Sequence, residues 1–251
     1  MKTAIVGGTG TLGRHVVSEL RARGHEVRVL SRNAPDYPVD LTTGTGLDEA
    51  LSGCEVVVDA SNNSSKTAAE TLVQGSRLLL AAGQAAGVAH HVCVSVVGCE
   101  RVPIGYFRVK AEQETVVERG QLPWTLVRAT QFHGYVASLF GMTARMRALP
   151  APRAVLQPVA AAEVALTVAD TAERAPLRGR IEVAGPEVTS VRDLAKAWRR
   201  ETGNRAAVVP FPLPGKLGRA LRGGALTSAR PDVLGGVTFE DWLREPEKAW
   251  R

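Results

Sequence analysis

Three glycines near the start of the chain have the spacing of a phosphate-binding turn. Gly7, Gly10 and Gly13 form the pattern Gly-x-x-Gly-x-x-Gly within "GGTGTLG", between an apolar run and a helix-like run. The first glycine permits a tight turn after a strand, the second lets the backbone approach a pyrophosphate, and the third lets a helix lie close to a sheet. The N–H groups at the start of that helix would face the phosphates, so the stretch predicts a dinucleotide site rather than a plain structural turn. The residues of this predicted loop are Gly7, Thr9, Gly10, Thr11, Leu12 and Gly13.

The end of the second predicted strand, "LSRN", indicates which dinucleotide would bind. NAD sites usually present an acidic residue here to the ribose hydroxyls, whereas an arginine accommodates a 2′-phosphate. This chain has Ser31, Arg32 and Asn33 at that place. Arg32 could pair with the phosphate and stack on the adenine, which predicts NADP(H) in preference to NAD(H). The alternative is that Arg32 is an ordinary exposed arginine.

Strand-like and helix-like segments alternate along the first half of the chain, with short connections. The predicted strands are 2–6, 26–32, 55–61, 90–98 and 123–132, and the predicted helices are 12–24, 47–53, 65–87 and 105–120. This order is typical of βαβ units and therefore of an α/β protein with a doubly wound parallel sheet. The later part is less regular, with helices at 160–174 and 190–203 and strands at 180–185 and 206–211. We expect a nucleotide-binding domain at 1–134 and a small C-terminal α+β substrate region at 135–251, packed together as one structural unit.

Composition and charge narrow the class of protein. The chain has 251 residues, 45% hydrophobic and 22% charged, which is ordinary for a soluble globular protein. Its net charge is +6, but basic residues are not interleaved with aromatic ones, so we expect an anionic small ligand or a solvated basic surface and no nucleic acid. The uncharged stretch 78–99 is interrupted by glycines, Gln84 and the pair His90–His91, so we expect no membrane span.

The cysteines and histidines do not form a metal-binding pattern. Cys54, Cys93 and Cys99 are odd in number and lack paired spacing, which predicts neither a disulfide framework nor a zinc site and fits a reducing cytoplasm. His90 and His91 are adjacent on a predicted strand and would point to opposite faces, so no metal is expected. His133 follows Phe132 near the expected substrate pocket and is the histidine most worth testing.

The chain resembles the atypical short-chain dehydrogenases/reductases of the NmrA-like branch over about residues 1–210. The resemblance rests on "GGTGTLG", "DLTTGTGLDEALSGCEVVVDA", "VSVVG", "YFRVKAEQETVVERGQLPWTLVRATQF" and "QPVAAAEVA". It implies a Rossmann-like domain that binds NAD(P)(H) and a variable C-terminal region that shapes the substrate pocket. By this resemblance, Asp40 and Leu41 would border the adenine. Further cofactor contacts would come from Ala60, Ser61 and Asn62, and, near the nicotinamide, from Ala129, Gln131 and Phe132.

Tyr106-x-x-x-Lys110 matches the catalytic tyrosine and lysine of the same superfamily. The offset of four residues places both side chains on one helix face. The Lys110 ammonium would lower the pKa of the Tyr106 phenol, so that Tyr106 could exchange a proton with a substrate oxygen. By the resemblance, Lys110 would also hold the nicotinamide ribose and Ser95 would orient the same substrate oxygen. The alternative is that Tyr106 is only an aromatic residue at a helix start.

These observations favour an NADP(H)-dependent oxidoreductase that transfers a hydride to a small carbonyl or quinone. The alternative is a non-catalytic NADP(H)-binding redox sensor that docks a protein partner through its C-terminal region. A sugar-nucleotide epimerase is disfavoured because the C-terminal region is short. The sequence leaves the substrate and the oligomeric state open.

Overall fold

The computed structural model describes residues 1–102 and 104–245, which divide into two compact units. The first unit comprises Met1–Ser95, Gly105–Arg128 and Val164–Ile181, and the second comprises 96–104, 129–163 and the chain from 182 onward, as far as these are described. The predicted boundary at 134/135 lies near one of the five places where the chain passes between the units, at 128/129. Each unit is therefore assembled from separate stretches of sequence.

The secondary structure of the described residues consists mainly of twelve strands and nine α-helices. The strands are β1 (Lys2–Val6), β2 (Glu26–Ser31), β3 (Tyr37–Pro38), β4 (Val56–Asp59), β5 (His90–Val96), β6 (Trp124–Ala129), β7 (Ala148–Pro152), β8 (Val155–Leu156), β9 (Arg180–Ala184), β10 (Thr189–Ser190), β11 (Ala207–Phe211) and β12 (Val233–Leu234). The helices are α1 (Gly13–Ala22), α2 (Leu47–Leu51), α3 (Gly75–Ala85), α4 (Gly105–Arg119), α5 (His133–Ala144), α6 (Ala161–Glu173), α7 (Val191–Glu201), α8 (Gly215–Arg222) and α9 (Phe239–Arg244). A π-helical turn, Glu70–Gln74, leads directly into α3.

The first unit is built on a parallel sheet in the order β3-β2-β1-β4-β5-β6. The strand order reverses between β1 and β4, which is the doubly wound Rossmann arrangement. Val6 of β1 has Leu30 of β2 and Asp59 of β4 as its neighbours, and Asp59 in turn lies beside Cys93 of β5. The predicted α/β, Rossmann-like fold is confirmed. Ligands of such sheets bind at the carboxyl ends of the strands, next to this reversal.

Helices cover both faces of this sheet because successive strand residues point to opposite sides. On one face, Val57 and Cys93 pack in a common core with Leu79 of α3 and Val117 of α4. On the other face, α1 is held to α6 by Arg23, which lies just after α1 and contacts carboxylate oxygens of α6 at 2.7 Å.

The second unit has a smaller core centred on α5 and α7. Phe140 of α5 and Trp198 of α7 are buried there, with ring centroids 6.1 Å apart. Strand β7 pairs in parallel with β11, β8 pairs with β10 in antiparallel fashion, and β12 pairs in parallel with the last residues of β9. Among the described residues of both units, none of the helices has the length and apolar character needed to cross a bilayer.

Candidate functional site

The glycine-rich turn between β1 and α1 is shaped by two glycines that the backbone requires. Gly7 has a φ of +72°, and a Cβ there would lie 2.8 Å from the Ala60 carbonyl oxygen. A Cβ on Gly13 would overlap the Gly7 carbonyl oxygen, because the start of α1 lies directly against the turn. A side chain at either position would displace backbone, so both glycines have the structural roles that their spacing predicts.

Gly10 has a different environment, because it lies on the open side of the turn. Thr9, Gly10 and Thr11 are exposed, and a Cβ on Gly10 would meet only the Gly7 carbonyl oxygen, at 3.1 Å. Within the described residues, no side chain caps α1 and no acidic residue lies in its first turn. The positive end of the helix therefore faces open space next to a residue without a side chain, and this cradle fits a pyrophosphate.

The end of β2 presents the residues predicted to read the adenosine half of a dinucleotide. Ser31 pairs with β3, whereas Arg32 and Asn33 are exposed. Hydrogen bonds from the Thr42 hydroxyl and amide, together with the nearby Arg32 guanidinium, lower the pKa of Asp40. The structure thus brings Arg32 and Asp40 close to each other, and the neighbouring Leu41 is buried.

Tyr106 is linked to the segment that follows β4. Its hydroxyl donates a hydrogen bond to Asn62 Oδ1 at 2.9 Å. The same segment begins with Ala60, whose N–H donates to Val6 O at 3.0 Å, so it runs beside the end of β1. Ser61 follows, and its hydroxyl oxygen is buried without a hydrogen-bond partner among the described residues.

Ser95 lies near the carboxyl end of β5, and Lys110 of α4 contacts the same strand through Val94 O. Lys110 is 2% exposed, and its ammonium donates to Val94 O at 2.8 Å and to Gln113 Oε1 at 2.6 Å. A lysine has three N–H donors, so these two acceptors leave one for a ligand. Ser95 is 2% exposed, and its hydroxyl has no partner in the described part of the chain. The first unit therefore gathers the predicted tyrosine, lysine and serine at the carboxyl edge of its sheet.

Comparison with known proteins agrees with the fold of the first unit. A family model described as NAD(P)H-binding matches residues 7–135, which is about half of the chain. The chain belongs to this NAD(P)H-binding family. Together with the fold of the first unit, the match confirms the predicted NAD(P)(H)-binding, Rossmann-like character of the chain.

Curated relatives of this NAD(P)H-binding protein include a photosystem II assembly factor, Ycf39, from Trieres chinensis. It is 33% identical over 149 residues, which cover 53% of this chain and 46% of the relative. The Ycf39 protein of Synechocystis is 28% identical over 159 residues, covering 57% and 48% of the two chains. The chain thus spans about half the length of the curated relatives it matches.

Solved structures resemble this NAD(P)H-binding protein over nearly its whole length. An NADPH-dependent quinone oxidoreductase from Escherichia coli, solved with NADPH, superimposes with a TM-score of 0.81 at 17% identity, covering 96% of this chain and 98% of the other. At such identity, the likeness shows the fold alone.

Two buried polar contacts in the first unit were not predicted from the sequence of this NAD(P)H-binding protein. Asp59 ends β4, is 1% exposed, and accepts hydrogen bonds from the Ser61 N–H at 3.0 Å and from Gln113 Nε2 at 3.1 Å. Arg128 of β6 forms a two-pronged ion pair with Glu114 of α4, and both side chains are about 5% exposed or less. The one signal for Asp59 is an acidic residue that closes an apolar strand, "VVVD".

The remaining predicted cofactor residues, Ala129, Gln131 and Phe132, belong to the second unit. Gln131 Nε2 donates to Leu226 O at 2.8 Å, and Phe132 is half-buried. His133 is fully buried, and its Nε2 lies 3.0 Å from Val237 O. Burial lowers the pKa of His133 to about 4, so it is neutral near pH 7. His133 is therefore a core residue of its own unit, with Phe239 and Trp242 rings around it.

Three buried residues of types that can bind a metal lie together in the first unit: Asp59, His91 and Cys93. Their ligand atoms all lie within 4.8 Å of one another. Both oxygens of Asp59 already accept hydrogen bonds, Oδ1 from Ser61 and Oδ2 from Gln113. Because a metal would have to displace these donors inside a closed core, the hydrogen-bonded carboxylate describes this cluster better than a metal ligand.

Proposed function

We propose that this protein is an NADP(H)-dependent oxidoreductase that passes a hydride to a small carbonyl or quinone. The observation that carries the proposal is the convergence of Tyr106, Lys110, Ser95 and Asn62 at the carboxyl ends of β4 and β5. All four belong to the first unit, as does the glycine cradle. A phenol, an ammonium and a hydroxyl that could take part in proton transfer would thus lie at the sheet edge where a doubly wound fold binds its ligands.

The roles we assign follow from each side chain's environment. The nicotinamide, when bound, supplies a hydride. Tyr106 is half-buried, so its hydroxyl can give a proton to the substrate oxygen and regain one from water. Without substrate that hydroxyl donates to Asn62 Oδ1 at 2.9 Å, and the substrate oxygen would replace Asn62 as the acceptor of the proton. Lys110 contributes its positive charge and third N–H, and Ser95 offers a hydroxyl that no described side chain uses.

The cofactor contacts that we propose in the first unit are those predicted from the sequence. The pyrophosphate would lie on the turn at Gly10, against the uncapped start of α1. Arg32 would take the 2′-phosphate, with Asp40 and Leu41 at the adenine. The three buried thiols, Cys54, Cys93 and Cys99, fit a reducing compartment such as the cytoplasm, which we propose as the location.

We expect NADP(H) to bind at least about tenfold more tightly than NAD(H), a difference of about 1.4 kcal/mol. The reason is the exposed Arg32 guanidinium, which can pair with a phosphate that NAD lacks. Isothermal titration with both cofactors measures the ratio. Arg32→Ala should remove most of the preference and leave NAD(H) affinity little changed.

Arg119→Ala is the matched control for Arg32→Ala. Arg119 is exposed at the C-terminal end of α4, in the same unit, so this variant removes the same charge away from the proposed site. It should retain the full preference for NADP(H). Equal affinities of the wild-type protein for the two cofactors would refute the role of Arg32.

The test of the proposed function is NADPH oxidation by the purified protein with a panel of quinones and activated carbonyls. Turnover with any member supports the proposal. A second candidate is a non-catalytic NADP(H)-binding protein that docks a protein partner, and the assembly-factor names of the Ycf39 relatives favour it. Tight, selective NADP(H) binding without turnover over the whole panel would support that candidate instead.

A further inference from the structure

A chain of four buried polar side chains lies behind Tyr106. Lys110, Gln113, Ser76 and Asp59 are each 1–2% exposed. Gln113 stands in the middle: its Oε1 accepts from Lys110 Nζ at 2.6 Å, and its Nε2 donates to Asp59 Oδ2 at 3.1 Å and to Ser76 Oγ at 3.0 Å. One amide therefore connects a buried cation to a buried anion.

This connection matters because a buried ammonium is costly without acceptors. In the described part of the chain Lys110 has two, Val94 O at 2.8 Å and the Gln113 amide oxygen. The carboxylate of Asp59 accepts a hydrogen bond from Nε2 of the same Gln113 amide. This bond polarises the amide and strengthens the bond between the amide oxygen and the Lys110 ammonium. A lysine side chain has four flexible bonds, and these two fixed acceptors hold Nζ in one place.

We propose that Gln113 is a positioning residue that holds the Lys110 ammonium where its charge acts on the Tyr106 phenol. This inference rests on the proposed function, in which Tyr106 donates the proton. Tyr106 lies four residues before Lys110 and Gln113 three residues after it, so α4 presents all three on one side. Without Gln113, Lys110 would keep only Val94 O and could turn away from Tyr106.

The other titratable groups around these four side chains do not replace Lys110 in this role. His91 and Cys93 of β5 lie beside Asp59, and burial lowers the pKa of His91, so it stays uncharged near pH 7. Glu114 and Arg128, next along α4 and on β6, form an ion pair with each other. Among the described residues, Lys110 is therefore the cation that the Gln113 amide holds.

The experiment compares the wild-type protein with Gln113→Met, which keeps the side-chain length and removes the acceptor. Tyrosine-labelled protein, free of cofactor and substrate, is titrated by NMR, and Tyr106→Phe assigns the Tyr106 signal among the three tyrosines. A lysine cation lowers a phenol pKa, so wild-type Tyr106 should titrate below the ordinary value of about 10. In Gln113→Met the pKa should rise by about 1, toward that value. In turnover assays, kcat near pH 7 should fall about tenfold, its pH profile should shift upward with the phenol, and the KM for NADPH should change little.

Two further variants make the outcome decisive. Gln113→Asn keeps an amide but withdraws it from Lys110, so it should raise the Tyr106 pKa even if Gln113→Met does not fold. Ser76→Ala removes one of the two acceptors of Gln113 Nε2, together with the 3.4 Å hydrogen bond from Ser76 Oγ to Asp59 Oδ2, without touching Lys110. Asp59 still accepts from Gln113 Nε2 at 3.1 Å, so this variant should leave both the phenol titration and the pH profile unchanged.

An unchanged Tyr106 pKa in either folded Gln113 variant, or an equal rise in Ser76→Ala, would overturn the inference. The phenol titration needs neither cofactor nor substrate. It therefore decides the role of Gln113 even if the wild-type protein shows no turnover, which would refute the proposed function instead.

Discussion

Gly10→Val is expected to weaken NADP(H) binding by at least about 100-fold, or about 2.7 kcal/mol, while the protein remains folded. A Cβ at this position meets only the Gly7 carbonyl oxygen, at 3.1 Å, so the turn needs to yield by only a few tenths of an ångström. The two methyl groups of valine would instead extend into the open side of the turn, where the pyrophosphate is proposed to lie. Titration calorimetry measures the affinity, and circular dichroism with thermal unfolding verifies the fold.

A matched control separates this effect from a general effect of valine. Gly141 lies in α5, and a Cβ there would meet no atom within 4 Å. Gly141→Val should therefore bind NADP(H) as tightly as the wild-type protein does. If Gly10→Val also binds normally, the phosphates lie elsewhere and the cradle at the start of α1 is not the cofactor site.

Tyr106→Phe is expected to lower kcat for a carbonyl substrate by about 10²–10⁴-fold, the usual contribution of a positioned acid. The variant loses the hydroxyl that Asn62 Oδ1 holds at 2.9 Å and keeps the aromatic ring, so cofactor affinity should be almost unchanged. Steady-state NADPH oxidation gives kcat and KM, and calorimetry gives the affinity for NADP(H).

Tyr37→Phe is the control for the loss of a tyrosine hydroxyl in the same unit. The Tyr37 ring lies under the Arg28 guanidinium, 4.8 Å from its carbon, and Tyr37 belongs to the edge strand β3, so its variant should retain full turnover. A quinone can take its proton from water, so a mild effect of Tyr106→Phe on quinone turnover would indicate a quinone reductase. A mild effect on carbonyl turnover would exclude Tyr106 as the acid.

Features that depend on neighbours along the chain could be predicted from the sequence. The turn around Gly7 and Gly13 could be predicted because a strand precedes it and a helix follows it directly in the sequence. The glycine spacing indicated the positive φ at Gly7 and the close contact of the helix at Gly13. The alternation of strands and helices indicated the doubly wound sheet, because buried parallel strands need connecting helices. Tyr106 and Lys110 were recognisable because they match the Tyr-x-x-x-Lys pattern of the superfamily that the chain resembles, and the offset of four residues placed both on one helix face.

Helix α5 was not predicted, because its sequence lacks the pattern that marks a surface helix. Val136 and Phe140 are buried, whereas Tyr135 and Met142 are 58% and 61% exposed. Apolar residues on both sides of a helix leave no periodicity of 3.6 residues to detect. Only the packing in the second unit distinguishes the buried side from the exposed one.

The distant partners of Lys110 and Gln113 were decided by tertiary structure. Val94, which accepts from Lys110, is 16 residues away in the chain, and Asp59, which accepts from Gln113, is 54 residues away. They meet because β4 and β5 are adjacent in the sheet and α4 packs on the face toward which Asp59 and Cys93 point. Local spacing determines which residues share a turn or a helix face, whereas the partners of a buried charge depend on which distant segments the sheet brings together.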